Sequence, residues 1–394
     1  MQLIDPNYRD FDTIRREFRW RVPQRYNIAH QVCDKHAGLA SRPAMFYESE
    51  AGEEQTYTFG QLSTLSNRFA NALRGMGVGR GDRVGIILPQ RIETGVAHLA
   101  VYKLGAVALP LSILFGPDAI EYRLSDSGAK AVITRGRHVS MIQDMKQLLP
   151  DLQTVISCDG TEGDASFWTL IDAAAEQMTP VATQADDPAL LIYTSGTTGP
   201  PKGALVAHRS LLGNLTGFEL SQNFFPEPND VFWTPADWAW TGGLMDGLLP
   251  TWYYGKPIVG FEGGKFDPER ACWLMAKYAV TNAFIPPTAL KMSRHVSDID
   301  RYQFKLRAIM SAGEAMGAEL CEWGQETLGF QINEMWGQTE FNYLVGNCAP
   351  IMTVKPGPWA NPTPAMSWPS STMPATICPP VRTASSLRGG SVIR

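Results

Sequence analysis

Between residues 57 and 157 the apolar residues change period repeatedly, and that alternation restricts the fold more than any other property of the chain. Leu62, Leu65, Phe69 and Leu73 form one stripe of a 3.6-residue repeat and predict a helix over Phe59–Gly75. The run DRVGIIL that follows reads as a buried strand. Residues 92–104 then read as helix, 106–111 as strand, 118–125 as helix, 130–135 as strand, 139–149 as helix and 152–157 as strand. Strands separated by helices, with few tight hairpin signals, predict parallel βαβ units and an α/β fold.

A second block begins at residue 188 with ALLIYTS as a strand, then a Gly/Thr loop, then a helix from about Arg209. Past a tryptophan-rich stretch, strands are expected at KPIVGF, TNAFIP and LRAIMSAG, with helices between them and one more running to Leu328. The α/β pattern continues to about Gly346. The last forty residues, rich in Pro, Ser and Thr, have neither period. The glycines of GMGVGRG follow a helix and precede a strand, the reverse of a dinucleotide loop, so they are read as a helix end and turn.

The chain has 394 residues, enough for two to three average domains. Its formal charge of −5 and the lack of a basic stripe exclude nucleic acid and anionic membranes as expected partners. Six scattered cysteines without CxxC spacing suggest neither a disulfide framework nor a structural zinc site, and a reducing compartment, the cytoplasm, is expected. The N-terminus lacks the apolar core of a signal peptide. The most apolar run, residues 242–250, is interrupted by Asp246, and no membrane span is expected.

The segment YTSGTTGPPKG, residues 193–203, carries the clearest chemistry. A strand delivers a loop in which Gly196 and Gly199 let backbone N–H groups converge on an anion. The hydroxyls of Thr194, Ser195, Thr197 and Thr198 add donors, and Lys202 adds a mobile positive charge. This is a cradle for polyphosphate. A Walker loop requires GxxxxGK followed by Ser or Thr, whereas Gly203 follows Lys202 here, which argues against a P-loop phosphotransferase.

The same segment resembles the phosphate-loop signature of the adenylate-forming superfamily, which includes acyl-CoA synthetases, aryl-CoA ligases, luciferases and peptide-synthetase adenylation domains. Further similarities follow in family order: SAGEA at residues 311–315, EMWGQTE at residues 334–340, and PADWAW, which ends at Trp240. The resemblance extends over about residues 25–357 and is nearest to short- and medium-chain acyl-CoA synthetases. It implies the large N-terminal domain of that fold, with stacked αβα subdomains and a smaller β-rich portion. Residues 1–187 are expected to form the first subdomain, and residues 188–357 the second, with the phosphate loop and acyl pocket.

The resemblance also implies roles. Thr194, Ser195, Gly196, Thr197, Thr198, Gly199 and Lys202 would hold the β- and γ-phosphates of ATP. Gly313, Glu314 and Ala315 would meet the adenine, with Trp336 stacked on it. Thr339 would bond the α-phosphate and Glu340 would hold Mg²⁺. Trp240 would line the acyl pocket. The implied reaction converts a carboxylic acid and ATP to acyl-AMP and pyrophosphate, then to acyl-CoA with CoA as co-substrate, without a covalent protein nucleophile. Acetate-specific relatives close the pocket floor with a tryptophan where this chain has Gly337. An open pocket is therefore expected, one that favours medium-chain or branched acids over acetate; alternatively Gly337 meets a backbone requirement.

After VKPG the family's next motifs, its ribose-binding aspartate and its mobile C-terminal domain with a catalytic lysine are not recognisable. Read from the third base of the Pro358 codon, PWANPTPAMSW can encode MGQPYPGHEL, the kind of motif expected there. A reading-frame shift near Gly357, real or from sequencing, is therefore expected. It would make residues 358–394 an aberrant, poorly ordered tail and impair activity. The alternative reading is a non-catalytic fragment that binds nucleotide or acyl acid.

Overall fold

The computed structural model describes residues 2–38, 41–160, 162–194 and 199–354 and the short strand Met366–Ser367. In chain order the strands are β1 (Pro43–Ser49), β2 (Glu54–Thr58), β3 (Arg83–Ile87), β4 (Val107–Pro110), β5 (Ala129–Thr134), β6 (Thr154–Ser157), β7 (Ala165–Ser166) and β8 (Pro188–Thr194). They continue with β9 (Lys202–Ala207), β10 (Phe232–Trp233), β11 (Ile258–Glu262), β12 (Asn282–Phe284), β13 (Ala308–Ser311), β14 (Asn333–Gln338), β15 (Phe341–Gly346) and β16 (Met366–Ser367).

Two sheets result. One has the order β7-β6-β5-β3-β4-β8-β9, the other β16-β15-β14-β13-β12-β10-β11-β1-β2. Both are parallel at the centre and antiparallel at one or both edges. β8 and β9, beyond residue 187, complete the first sheet, whereas β1 and β2 from the N-terminal part complete the second. Of the tail read as 358–394, only Met366–Ser367 falls within the described residues, where it pairs with β15.

The helix Phe59–Gly75 has the predicted bounds for a local reason. Thr58 accepts from the Gln61 backbone N–H while the Gln61 side chain accepts from Thr58 N–H, a reciprocal cap that fixes the start. Beyond its end, Gly77 takes φ +82°, the left-handed turn anticipated from GMGVGRG. The helix Ile92–Lys103 has no exposed face: all twelve of its residues are buried. Such a helix must lie inside the molecule. Even Lys103 is fully buried, held by Asp34 at 2.8 Å and by Ser66 and Asn67.

Strand periodicity distributes the core. Leu190 and Ile192 of β8 face the apolar layer that contains the central helix, together with Trp238 and Trp252. Leu191 and Tyr193 face an outer layer with Ile87, Val107 and Leu109. A third layer, around Val259, Ala271 and Ile309, covers the far side of the second sheet. The result is an α/β stack of helix and sheet layers, as the sequence predicts. Arg91 joins the sheets, bridging Glu262 of β11 at 2.5 Å and Glu93 at 3.0 Å.

One expectation requires correction. Residues 202–207, expected as loop, form β9, antiparallel to β8, while the helix expected from about Arg209 begins at Ser210. Pro200, Pro201 and Gly203 hide the strand by breaking the local pattern, whereas the pairing with β8 recovers it.

Candidate active site

The parallel strands β10, β12, β13 and β14 end on the same side of the second sheet, and the segments leaving them surround a cavity of about 810 Å³. Ligands in open α/β sheets lie at this carboxyl end. The walls bring together Trp240, Gly313, Glu314, Ala315, Trp336, Gly337 and Thr339, seven residues that the sequence singled out separately. Phe284, Asp246 and Asn342 complete much of the remainder.

Local geometry positions each group. Asp237 accepts from Ala239 N at 2.9 Å, and Trp240 N donates to Asp237 O at 3.1 Å. That turn sets the Trp240 ring edge-on to Phe115 with centroids 5.7 Å apart. Gly313 needs φ +96° to turn away from β13, and Glu314 beyond it accepts from the Thr288 hydroxyl at 2.7 Å. Trp336 is 42% exposed, with its ring centroid 5.6 Å from that of Phe341, so one face is free for a planar ligand.

Gly337 sits where the β14–β15 register shifts. A Cβ there would lie 2.8 Å from Tyr343 N and 3.2 Å from Asn342 Oδ1, so this site accepts a side chain only if the strands move. Thr339 lies in the turn after β14, and its Oγ1 is 3.4 Å from Thr241 Oγ1. Glu340, next along, is exposed and is not one of the walls.

Of the phosphate-loop residues that the structure describes, Thr194, Gly199 and Lys202 are not among the walls of the cavity. Thr194 and Lys202 face each other as the last and first residues of β8 and β9, with Lys202 exposed. Gly199 has φ +82° and open space where a Cβ would go. Ser195, Gly196, Thr197 and Thr198 lie outside the described residues.

The sequence reading did not single out Thr241, Asn214 or Asn342, and it noted Asp246 only as a break in an apolar run. Asp246 sits in a short π-helical stretch, Leu244–Leu248, a distortion that recurs at functional sites. Its Oδ1 accepts from Asn214 Nδ2 at 3.3 Å and from Asn342 Nδ2, which also bonds Asn214 Oδ1 at 2.7 Å. Burial pushes the Asp246 carboxyl up to about 8 despite those bonds. The lone acid within an apolar run was the signal available in the sequence.

Other groups serve packing. Trp238 and Trp252 are fully buried, and the Trp252 indole donates to Ala44 O at 2.8 Å. His208 is buried, its Nδ1 accepts from Ile28 N at 3.2 Å, and desolvation lowers its pKa to about 4. Among the described residues five cysteines are free and buried, and no group of three or more His, Cys, Asp or Glu could hold a metal. No helix among them is long and apolar enough to cross a membrane.

Comparison with known proteins adds the family. The chain is 29% identical over 386 residues to human mitochondrial acyl-coenzyme A synthetase ACSM3, covering 95% of this chain and 65% of that protein. It is 31% identical to acetyl-coenzyme A synthetase of Bacillus subtilis, covering 92% and 66%. The solved acyl-CoA synthetase of Brucella canis superposes with TM-score 0.81 at 28% identity, over 91% of this chain and 67% of that one. The chain thus spans just under two thirds of the length of the first two relatives. The family model described as AMP-binding enzyme matches residues 33–377, past Gly357 and into the Pro- and Ser-rich segment. With its fold, its cavity at the strand ends and this match in agreement, the chain belongs to the AMP-binding enzyme family.

Proposed function

We propose that this chain carries the adenylate-forming part of an AMP-forming acyl-CoA synthetase, an acid–thiol ligase that takes a short- or medium-chain acid, ATP and CoA. The observation that carries the reading is the single cavity whose walls combine the adenine-side residues Gly313, Glu314, Ala315 and Trp336 with the acyl-side residues Trp240 and Gly337. One site that receives both a nucleotide and an acid is what acyl adenylation requires.

In this reading a carboxylate oxygen of the acid attacks the α-phosphorus of ATP. The bond from that phosphorus to the bridging oxygen breaks, and pyrophosphate leaves with the negative charge. Thr339 donates to the α-phosphate, while Thr194, Ser195, Thr197, Thr198 and Lys202 hold the departing phosphates with the backbone of Gly196 and Gly199. CoA, as thiolate, then attacks the acyl carbon and AMP departs. The protein supplies position and charge neutralisation.

Glu340 is the residue assigned to Mg²⁺. A single exposed carboxylate suits that ion, which keeps several waters and takes its remaining oxygens from substrate phosphates. When bound, Mg²⁺ would neutralise phosphate charge; Glu340 itself contributes one anionic oxygen ligand beside Thr339.

Gly337 leaves the cavity open where a tryptophan would fill it, which favours acids longer than acetate. The test is carboxylate-dependent exchange of pyrophosphate into ATP. Exchange with hexanoate exceeding that with acetate is expected. Binding of AMP without exchange would support a non-catalytic binding fragment instead.

A further inference from the structure

The acyl end of the cavity is not purely apolar. Asp246 and Asn342 line it, and Asn342 stands beside Gly337, with its Oδ1 3.2 Å from where a Cβ at 337 would be. Glycine at that position therefore leaves a carboxyl and a carboxamide facing the space that the acid's tail would occupy.

The bonding within this cluster is one-sided. Both amide donors, Asn214 Nδ2 and Asn342 Nδ2, converge on the same oxygen, Asp246 Oδ1. Among the described residues, Asp246 Oδ2 and Asn342 Oδ1 have no hydrogen-bond partner, although Asp246 is only 2% exposed. Neither atom is sealed in packed protein, and both residues line the cavity, so both atoms are open to a ligand. Burial keeps the Asp246 carboxyl protonated, and with two amide N–H groups on Oδ1 the proton sits on Oδ2, so Oδ2 donates while Asn342 Oδ1 accepts.

On the reading of this cavity as an acyl pocket, we infer that the acid it takes carries a hydroxyl at the end remote from its carboxylate, which accepts from Asp246 Oδ2 and donates to Asn342 Oδ1. The pocket thereby selects against plain alkanoates of the same length. An alkyl terminus would leave both polar atoms dry and unpaired, and rejection of an analogue that lacks the expected polar group is the strongest discrimination a buried site provides.

The test is calorimetric titration of the chain, with AMP present, by matched acids: butyrate against 4-hydroxybutyrate, and hexanoate against 6-hydroxyhexanoate and 6-aminohexanoate. At least tenfold tighter binding of a hydroxy acid than of its alkyl partner, at one length or both, is expected. Tighter binding of 6-aminohexanoate than of 6-hydroxyhexanoate would overturn the inferred hydroxyl. In Asp246→Leu, checked for folding by its melting curve, the preference should vanish or invert, and Asn342→Leu should weaken it. Equal or tighter binding of the alkanoate at both lengths overturns the inference and leaves the acyl-CoA synthetase reading intact. An unchanged preference in a folded Asp246→Leu protein also overturns it. Failure of every acid to bind overturns both.

Discussion

The Thr241 hydroxyl donates to Thr339 Oγ1 at 3.4 Å, joining the segment after Trp240 to the turn after β14. With its oxygen occupied, Thr339 keeps its own proton for a ligand. The two walls of the cavity therefore meet at the hydroxyl assigned to the α-phosphate.

Replacing that hydroxyl should remove charge stabilisation during adenylation. Thr339→Val is expected to lower pyrophosphate exchange roughly 10²-fold while leaving the melting temperature unchanged, as for loss of one transition-state donor. Thr241→Val, which only orients Thr339, should reduce kcat by a smaller factor with little change in KM for ATP. Steady-state exchange kinetics measure both, and equal losses in the two variants would contradict the orienting role.

Gly337 should resist even the smallest side chain. Its Cβ would fall 2.8 Å from Tyr343 N, a backbone atom that moves only with β15. Gly337→Ala is expected to destabilise the chain by about 1–3 kcal/mol, the usual cost of overpacking, measured by urea denaturation. The backbone requirement and the open pocket are thus compatible accounts of the same residue. A neutral Gly337→Ala would argue that β15 yields easily.

Asp246 should make stability depend on pH in an uncommon direction for an acid. Its pKa, ordinarily 3.8, rises to about 8 in the folded chain because burial disfavours its charge. The folded state therefore holds a proton that the unfolded state has released. This contribution is complete below about pH 4 and is lost as pH rises toward 8. Asp246→Asn should gain stability relative to the parent across that window, most at the alkaline end. Urea midpoints between pH 5 and pH 9 check it.

Buried histidines act in the opposite direction. Desolvation lowers His98 to about 3 and His208 to about 4, so each is neutral when folded. Their contribution is full above about pH 6.5 and declines as pH falls toward 4, where the unfolded state takes up protons first. His98→Phe should flatten the acid limb of the urea-midpoint profile.

The reading of residues 358–394 is checked outside the protein, by sequencing the DNA across codon 357. A +2 frame from Pro358 that encodes an MGxPxPG motif is the expected result; its absence rejects the shift.

Much of the architecture was legible because local signals sufficed. The helix Phe59–Gly75 announces itself by its stripe and the glycines that follow it, and the structure keeps those bounds. β9 was hidden because Pro200, Pro201 and Gly203 carry turn chemistry, while the information that makes it a strand lies in its partner β8. The cavity shows the same division. Trp240, Gly313 and Trp336 stand in motifs that the sequence shows directly. Asn214, Asp246 and Asn342 come from three distant segments, and only tertiary packing brings them together.

The pairing of β1 with β11 has a consequence during synthesis. Met45 finds its parallel neighbour at Ile258, and Phe46 at Val259. A ribosome adding about 5–20 residues per second leaves this hairpin without that partner for roughly 10–40 s. Throughout that interval a nascent strand with buried-type side chains and open backbone groups stands exposed. The chain's yield should therefore respond to chaperone supply and to translation speed.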